Sequence, residues 1–509
     1  MALLESIRQS APALHRAFAS LADGEQHLQR LVELDGYWER LKQPPARVVL
    51  PASALPCNAA ISGEYDLIYA GGTLSMFHAA VMARRYGHSV MVFDRHTPAT
   101  STRDWNISWE ELLRLRDVGL FSEAELDSVV VRRYRDGWVE FYQPDGKQKR
   151  LTIEHVLDCA VETSTLLGMA KVKLLEVPNA AIFGGYTFQR CYQLPDGVIV
   201  EIIDSKGERL FYKCRLLLDV MGILSPIAMQ LNEGRPQTHV CPTVGTIASG
   251  FEGVDMEVGE ILASTRPADV ENGTGRQLIW EGFPAKGSEY ITYLFFYDSV
   301  ESANNKSLIS LFDTYFRLLP EYKQMGKNFT IHRPVYGIIP AYFHDGVSCK
   351  RTIAADNILL LGDAASLSSP LTFCGFGSLV RNLHRLTAGL EQALAANQLS
   401  QEQLTTISAW EPNVAAMANL MKYMCFNPET DSPNFVNDLM NEVMIVLDSL
   451  PHRYRQAMFR DEMKIEELVE VMLRVAWRYP KVLSATWTKL GVTGSIGFFK
   501  NLAGWALGK

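Results

Sequence analysis

The chain has 509 residues, of which 47% are hydrophobic and 21% are charged, and its formal net charge is -8. These values are typical of a folded globular protein with more than one domain, and they argue against extensive disorder. A negative balance without a compensating basic stripe argues against nucleic-acid binding. The eight cysteines form no C-x-x-C pair, and the histidines are scattered, so we expect buried thiols in a reducing compartment and no metal. The N-terminus lacks the features of a secretory signal, and no apolar run predicts a transmembrane helix, so a secreted protein is not expected.

Local patterns predict an N-terminal helical extension and, further along, a β-meander. Leucines recur at helical spacing through about the first 45 residues, where the proline-rich segment "QPPARVVLP" ends the pattern. The segment "NISWEELLRLRDVGL" predicts a helix that begins with a capping box of Ser108 and Glu111. The alternating stretch "RCYQLPDGVIVEIIDSKGERLFYKCRLLLDVMG" predicts antiparallel strands joined by tight turns.

A βαβ unit with an altered glycine turn is predicted in "YDLIYAGGTLSMFHAAVMARRYGHSVMVFD". Gly71 occupies the first glycine position of a G-x-G-x-x-G turn, whereas Thr73 and Met76 occupy the second and third. Asp94 follows Gly71 by 94 − 71 = 23 residues, a separation that places an acid beside a ribose hydroxyl. The segment therefore predicts a nucleotide site on Gly71, Gly72, Thr73 and Asp94. A parallel α/β unit without a ligand is the alternative.

A second fragment, "NILLLGDAASLSSPLTFCGFGSLVRNLHRL", strengthens the nucleotide prediction. A buried strand ends at Gly362 and Asp363, a loop containing Pro370 follows, and Gly375 and Gly377 open a helix. An aspartate at a strand end can bind a ribityl hydroxyl, and glycines expose the N–H groups of a helix N-terminus to an anion. The fragment closely resembles the G-D-A-A…P…G-x-G motif of FAD-dependent, hydroxylase-type flavoproteins.

A third fragment, "LLLDVMGILSP", resembles the D-G-x-x-S segment of the same flavoproteins, with its glycine three residues after Asp219. Together with "RDWNIS", "WEGFPAKGSEYITYLFFYD" and "RPVYGIIPAYF", the fragments resemble the CruA/CruP-type lycopene cyclases of cyanobacteria, green sulfur bacteria and plastids, from about residue 65 to the C-terminus. That family also has a G-G-T-L turn in place of the standard glycine fingerprint. The resemblance implies an FAD cofactor. Arg103 follows the second strand, where related flavoproteins bring a loop to the cofactor and where an arginine suits the pyrophosphate; a purely structural loop is the alternative.

The resemblance also implies an enzyme of carotenoid biosynthesis that converts linear lycopene to γ- or β-carotene without net redox change. The flavin would act in its reduced form, with NAD(P)H as the reductant. Protonation of the terminal double bond requires a carboxylic acid that apolar surroundings keep neutral, and aromatic faces suit the resulting carbocation. "LIWEGFPAKGSEYITYLFFYD" offers Glu281 and Asp298 as this catalytic acid. Glu281 could instead pair with an arginine, and Asp298 could cap a turn.

Two other functions remain open, namely a paralogue without cyclase activity that binds flavin or pigment, and a redox flavoenzyme that acts on an isoprenoid. The C-terminal segment "YPKVLSATWTKLGVTGSIGFFKNLAGWALGK" mixes aromatic residues with lysines, as is typical of a helix in a membrane interface. A helix docked on the protein's own core is the alternative. We expect a peripheral or monotopic membrane protein on a cytoplasmic or thylakoid face, with lycopene or a related carotenoid as substrate and any pigment or protein partner unknown.

The predicted architecture is α/β. It consists of a Rossmann-like, glutathione-reductase-type FAD domain interleaved with an antiparallel-sheet substrate domain, with helices at both ends of the chain. The predicted divisions are an N-terminal extension (1–50), the first FAD segment (62–160), a meander with the second FAD segment (161–240), the substrate domain (241–345), the last FAD segment (346–395) and a C-terminal helical region (396–509).

Overall fold

Two large β-sheets dominate the computed structural model, which describes residues 2–271, 274–342, 351–369, 371, 375–411 and 419–507. Within these ranges, the first sheet has nine strands and the second has eight. Two small sheets accompany them, one formed by Trp105–Ile107, Cys159–Val161 and Val130–Arg133 and the other by Asp269–Glu271 and Thr274–Arg276.

The first sheet is built on the predicted βαβ unit. Strand Ile61–Ala70 pairs in parallel with Val90–Asp94, and helix Ser75–Tyr86 connects them. The small residues of "HAAVMA" in this helix are all buried, which allows the helix to approach the sheet closely. The strand order across the sheet is Val49–Pro51, Thr187–Leu194, Gly197–Ile203, Arg209–Asp219, Ile61–Ala70, Val90–Asp94 and Ala180–Gly184, with Ile358–Leu360 beside Arg209–Asp219 and Ala354–Ala355 beside Ile358–Leu360.

The sheet brings the three predicted nucleotide fragments to one edge. Asp219 is the register partner of Ala70 on one side and of Leu360 on the other, and Ala70 is the partner of Phe93. All of these strands run parallel, so their carboxyl ends meet at the same edge, where open α/β sheets bind their ligands.

The second sheet is mainly antiparallel. Its strand order is Asp298–Ser299, His239–Glu252, Glu289–Phe295, Ile279–Pro284, Val258–Ala263, Asp136–Glu140 and Leu151–Ile153, with Gln324–Ala341 also paired to His239–Glu252. The strands Asp136–Glu140 and Leu151–Ile153 therefore join the second sheet, whereas the sequence-based division assigned them to the first FAD segment. The physical reason is that Val139, Leu151 and Ile153 bury their side chains in the core of the second sheet.

Helices cover both sheets. The described helices are Ala2–Ser6, Pro12–Ala19, Gly24–Arg40, Ser75–Tyr86, Trp109–Leu112, Arg114–Asp117, Glu123–Val129, Thr163–Leu175, Pro226–Leu231, Leu308–Tyr322, Gly375–Ala395, Gln401–Thr405, Phe435–Asp448, His452–Phe459, Ile465–Arg478 and Lys481–Ala506.

The two faces of the second sheet are covered by opposite ends of the chain. Along strand Ile279–Pro284, Trp280 packs in a cluster with Leu28 of the N-terminal helices. Its neighbours Ile279 and Phe283 pack in a different cluster, which includes the C-terminal helices. This division follows from the alternation of side chains along a strand, and it places Glu281 on the face of Ile279 and Phe283.

The last helix, Lys481–Ala506, is bent at Gly491, where φ is +64° and ψ is -173°. Its inner side buries Leu490, Phe498 and Leu502 against the protein, so the helix is docked on the core. In the described part of the chain, no helix combines the length and apolar composition required to cross a bilayer.

Candidate functional site: a nucleotide cleft and a buried acid

The first glycine turn fits tightly against its neighbours. Gly71 has φ of +118°, and a Cβ at this position would lie 2.3 Å from the carbonyl oxygen of Val220. A Cβ at Gly72 would lie 2.9 Å from the Cβ of Pro98. Both glycines are therefore required by the turn itself.

The two missing glycines of the fingerprint are accommodated in different ways. Thr73, at the second position, is exposed in the turn. Met76, at the third position, is fully buried in the core beneath the first sheet. Ser75 donates from its hydroxyl to the carbonyl oxygen of Gly71. The hydrogen bond from Ser75 to Gly71 therefore stabilises the turn without the two missing glycines.

Asp94 lies at the predicted edge, beside this turn. Its Oδ2 accepts from the backbone N–H of Gly72 at 2.8 Å, and its Oδ1 accepts from the N–H of His96 at 2.8 Å. Asp94 thus holds the turn in place, a structural role that the spacing argument did not include. Its side chain is only half-buried, which leaves room for the predicted contact to a ribose.

The second and third fragments meet at a pair of left-handed turns. Gly222 has φ of +68° and Gly362 has φ of +57°. A Cβ on Gly222 would lie 4.0 Å from the Cβ of Asp363, whereas a Cβ on Gly362 would meet no described residue within 4 Å. Burial raises the pKa of Asp363, and the nearby Arg103 opposes that shift. Asp363 nevertheless keeps accessible surface at this edge of the first sheet, and we call this edge the nucleotide cleft.

Asp219 holds the third fragment rather than opening into the cleft. This fully buried carboxylate accepts from the hydroxyl of Ser225 and, at 3.1 Å, from the N–H of Met221. Burial raises its pKa to about 6. Ser225 in turn accepts from the N–H of Ala228 at 2.9 Å and caps helix Pro226–Leu231.

The helix Gly375–Ala395 begins at the predicted glycines. Among the described residues, a Cβ on Gly375 would meet nothing within 4 Å, whereas a Cβ on Gly377 would lie 2.8 Å from Glu111 Oε1. Pro370 lies outside the described residues.

The predicted capping box of Ser108 and Glu111 is wrong. Glu111 accepts from Arg381 Nη1 at 2.6 Å, and the Ser108 hydroxyl accepts from the N–H of Leu157 at 3.2 Å. The physical reason is that the buried guanidinium of Arg381 requires a carboxylate, and Glu111 is drawn to it across the fold.

The loop after the second strand connects the cleft with the second sheet. Arg103 is close enough to Asp363 to lower its pKa. It also packs against Gly337, because a Cβ on Gly337 would lie 3.1 Å from Arg103 Nη1. The rings of Trp105 and Phe376 have centroids 4.4 Å apart, which joins the loop to the helix that Gly375 opens. Asn106 Nδ2 donates to Glu281 Oε1 at 3.2 Å.

Glu281 is a buried acid in aromatic surroundings. It is 4% exposed, and burial raises its pKa to about 8 while the hydrogen bond from Asn106 opposes the shift. On the same face of the strand, the ring centroid of Phe283 lies 6.4 Å from that of Tyr134 and 6.2 Å from that of Tyr293. Its described partner is an amide, and the arginine pairing that was the alternative is not found among the described contacts of Glu281.

Asp298 belongs to a turn network instead. Its carboxylate accepts from Ser302 Oγ at 2.7 Å, from Asn304 Nδ2 at 2.9 Å and from the N–H of Ser299 at 2.7 Å. Lys306 Nζ lies 3.8 Å away. Burial raises the pKa of Asp298, and Lys306 opposes that rise. Since its oxygens are engaged by this turn, the geometry favours Glu281 as the acid.

Sequence reasoning missed the approach of the N-terminal helix to this cleft. Arg95, directly after Asp94, lies 3.7 Å from Glu33 of helix Gly24–Arg40. The sequence of that helix shows polar residues at helical spacing, but this pattern does not indicate which part of the protein they face.

Comparison with known proteins identifies the fold. No protein-family model and no curated protein matches the sequence. A geranylgeranyl bacteriochlorophyll reductase-like protein from Thermoplasma acidophilum is similar in structure, with a TM-score of 0.62 and 13% sequence identity over 83% of this chain and 98% of that chain. A flavoprotein/dehydrogenase from Cytophaga hutchinsonii has a TM-score of 0.55 and 10% identity, over 78% of this chain and 92% of that chain. The halogenase PltM, in complex with phloroglucinol and FAD, has a TM-score of 0.53 and 14% identity, over 81% of this chain and 85% of that chain.

The chain has a flavoprotein fold. This likeness confirms the predicted architecture, a Rossmann-like domain interleaved with a mainly antiparallel sheet and extended by helices. At these identities the comparison concerns the fold alone.

Proposed function

We propose that this protein is an FAD-binding enzyme that cyclises a linear carotenoid of the lycopene class by acid catalysis from Glu281. The observation that carries the proposal is the position of this one carboxyl group. It is buried among aromatic rings on the second sheet, and Asn106 links it to the loop that also lines the nucleotide cleft.

The cleft has the features that a bound FAD requires. The glycine turn at Gly71 leads into the start of helix Ser75–Tyr86, where N–H groups would stabilise a pyrophosphate. Asp94 stands beside this turn for a ribose hydroxyl, and Asp363 lies deep in the cleft for the ribityl chain. Arg103, between Asp363 and the second sheet, would complement the charge of the cofactor.

Glu281 is suited to protonate an alkene. With a pKa of about 8, its carboxyl group is mainly neutral at pH 7. Asn106 donates to Oε1, so we place the acidic proton on Oε2. Transfer of this proton to the terminal double bond of lycopene leaves a tertiary carbocation and a Glu281 carboxylate. The neighbouring double bond then forms the ring, and loss of a proton from the ring gives the isomeric product.

The surroundings of Glu281 would protect the cation. The rings of Phe283, Tyr134 and Tyr293 offer π-faces that attract positive charge without capturing it as a nucleophile would. The hydroxyl of Tyr134 donates to the carbonyl oxygen of Pro284 at 2.7 Å, which keeps it engaged within the protein. Reduced FAD, maintained by NAD(P)H, would supply negative charge that stabilises the carbocation.

A second candidate function is the reduction of an isoprenoid double bond. It is favoured by the similarity in fold to a geranylgeranyl bacteriochlorophyll reductase-like protein. The two functions differ in stoichiometry, because a reductase consumes one NAD(P)H for each double bond, whereas a cyclase needs reductant only in catalytic amounts.

We further propose that the protein works on a membrane surface, where its apolar substrate resides. Large apolar side chains are exposed along the last two helices, where they recur every three to six residues, namely Leu473, Trp477, Leu483, Trp487, Val492, Ile496 and Phe499. Leu507, directly after the last helix, is exposed as well. Lys481 and Lys500 are exposed on the same last helix. This combination is typical of an interfacial helix.

The experiment that tests the cyclase proposal is pigment analysis of a lycopene-accumulating bacterial host that expresses the parent protein or a variant. We expect the parent to form γ- or β-carotene and Glu281→Gln to lose activity by about 10²-fold or more, since the amide cannot donate an acidic proton. Asp298→Asn should retain activity in proportion to the amount of folded protein. Untouched lycopene beside a parent protein that is yellow with FAD would refute the cyclase and favour the reductase or the paralogue without cyclase activity. NAD(P)H consumption with isoprenoid substrates then separates those two.

A further inference from the structure

The N-terminal helix Gly24–Arg40 has two distinct sides. Its leucines pack in the hydrophobic cluster that contains Trp280 of the second sheet. A polar stripe, Arg30, Glu33, Tyr37 and Arg40, runs along the other side at spacings of three and four residues. Residues at such spacing share one face of a helix. The helix is therefore fixed to the substrate sheet by one side and presents a row of polar groups on the other.

Arg30 and Glu33, the first half of this stripe, lie beside the end of strand Val90–Asp94. Glu33 Oε2 accepts from Arg30 Nη1 at 2.9 Å and lies 3.7 Å from Arg95 Nη2. Arg40 lies within electrostatic range of Arg95 and Glu33. Burial, together with the neighbouring guanidinium groups, lowers the pKa of Arg95, while Glu33 and Asp94 oppose this.

The charges at this corner do not balance. Three guanidinium groups, those of Arg30, Arg40 and Arg95, face two carboxylates. One of these carboxylates, Asp94, already accepts from two backbone N–H groups. The corner therefore has an excess of positive charge beside the glycine turn, where a dinucleotide would place its phosphates.

The second half of the stripe reaches the turn at Gly362. Tyr37 is 1% exposed, and within the described residues its hydroxyl has no hydrogen-bond partner. Nη1 of the nearby Arg351 is likewise buried without a partner there. The other two nitrogens of Arg351 donate to the carbonyl oxygens of Ala364 and Ala365, directly after the Gly362 turn. The stripe thus extends from Asp94 towards Gly362, across the binding edge of the first sheet.

We propose that this N-terminal helix forms a wall of the nucleotide site and that Arg30 and Arg40, together with Arg95, bind phosphate groups of a dinucleotide. The inference rests on the proposed binding of FAD. Two dinucleotides carry such a phosphate group, namely FAD in its pyrophosphate and NADPH in its 2′-phosphate. Arginine suits both, because its planar guanidinium binds phosphate oxygens through two hydrogen bonds. Glu33 lies beside Arg30 and Arg95 and therefore competes with the phosphate for them.

Titration of the flavin-free full-length protein with FAD, followed by flavin fluorescence at low and high salt, tests this inference. We expect Arg30→Gln and Arg40→Gln each to raise the Kd of FAD about tenfold at low salt and to weaken its salt dependence. Glu33→Gln should lower the Kd, because it removes the competing carboxylate. Arg16→Gln, the same change at an exposed arginine of the preceding helix, should match the parent. Circular dichroism and the Tm of each flavin-free variant exclude a folding defect as the cause.

The second arm distinguishes the source of the phosphate. If the arginine variants keep the parent's FAD affinity but lose the preference for NADPH over NADH in flavin reduction, the stripe binds the 2′-phosphate. If neither FAD affinity nor this preference changes, the inference is refuted while the FAD proposal stands. If the parent protein itself takes up no FAD, the proposed function fails, and calorimetric titration with ADP then decides the inference. Weaker ADP binding in the arginine variants supports it, and unchanged binding refutes it.

Discussion

The raised pKa of Glu281 couples protonation of this carboxyl group to folding. Its pKa is raised from 4.5 to about 8 by burial. A folded-state pKa above the unfolded value means that the folded protein binds the proton more tightly. This stabilisation is fully present below pH 4.5 and is lost as the pH rises through 8. We therefore expect the free energy of unfolding of the parent to fall by roughly 2 to 4 kcal/mol more between pH 5 and 8.5 than that of Glu281→Gln, which cannot titrate.

Urea unfolding at several pH values measures this difference. Glu154→Gln is the matched control, because Glu154 is exposed, and its pH profile should follow that of the parent. Parallel profiles for the parent and Glu281→Gln would show that Glu281 is charged in the folded protein. This result would contradict the proposed role of Glu281 as the catalytic acid.

The glycine turn offers a second test at the scale of one residue. Gly71→Ala places a Cβ 2.3 Å from the carbonyl oxygen of Val220, in a backbone conformation with φ of +118°. Gly119 is a suitable control, because its φ is +77° and a Cβ there would meet no atom of the described residues within 4 Å. We expect Gly119→Ala to cost about 1 kcal/mol through the left-handed backbone alone. Gly71→Ala should cost at least about 2 kcal/mol more, because backbone must shift. Equal losses in urea unfolding would show that the turn is not tightly packed.

At the scale of an element, the turn after strand Glu289–Phe295 is organised around a buried ion pair. Asp298 is 3% and Lys306 is 6% exposed, and Lys306 also donates to the carbonyl oxygens of Ser302 and Asn304. Removing one partner leaves the other charge buried, so Asp298→Ala should destabilise the protein by about 3 to 5 kcal/mol. Lys306→Met in the same chain should recover part of this loss, because no buried charge remains. Thermal unfolding of the single and double variants measures the recovery, and strictly additive losses would contradict the pairing.

Elements set by local pattern were predictable, and those set by distant partners were not. The βαβ unit follows from apolar strands, a glycine turn and a small-residue helix within thirty consecutive residues. Ser108 and Glu111 have the spacing of a capping box, yet Arg381 determines the position of Glu111 from a distant part of the sequence. For the two acids, the sequence indicated apolar surroundings for both, but only the fold shows that Asp298 is held by its own turn and Glu281 by Asn106.

At the scale of the whole molecule, the two ends of the chain enclose the second sheet from opposite faces. Helix Gly24–Arg40 packs on one of these faces and also reaches Arg95, at the end of strand Val90–Asp94 of the first sheet. The C-terminal helices cover the other face, on which Glu281 lies, and present their outer side to solvent. A carotenoid that leaves a membrane beneath these helices would therefore approach the face of the sheet that carries the acid.

The outer side of the last helix should determine membrane binding. Trp487 is 65% and Phe499 is 66% exposed, and such side chains gain free energy when they enter the headgroup region. We expect the double variant Trp487→Glu/Phe499→Glu to lose most of its flotation with vesicles that contain anionic lipid, and the parent to release as salt screens the exposed lysines. Leu175→Glu is the control, because Leu175 is 49% exposed on helix Thr163–Leu175, outside the C-terminal helices, and its flotation should equal that of the parent. Equal flotation of the double variant and the parent would move the membrane contact away from this helix, and the route to Glu281 would then have to begin elsewhere.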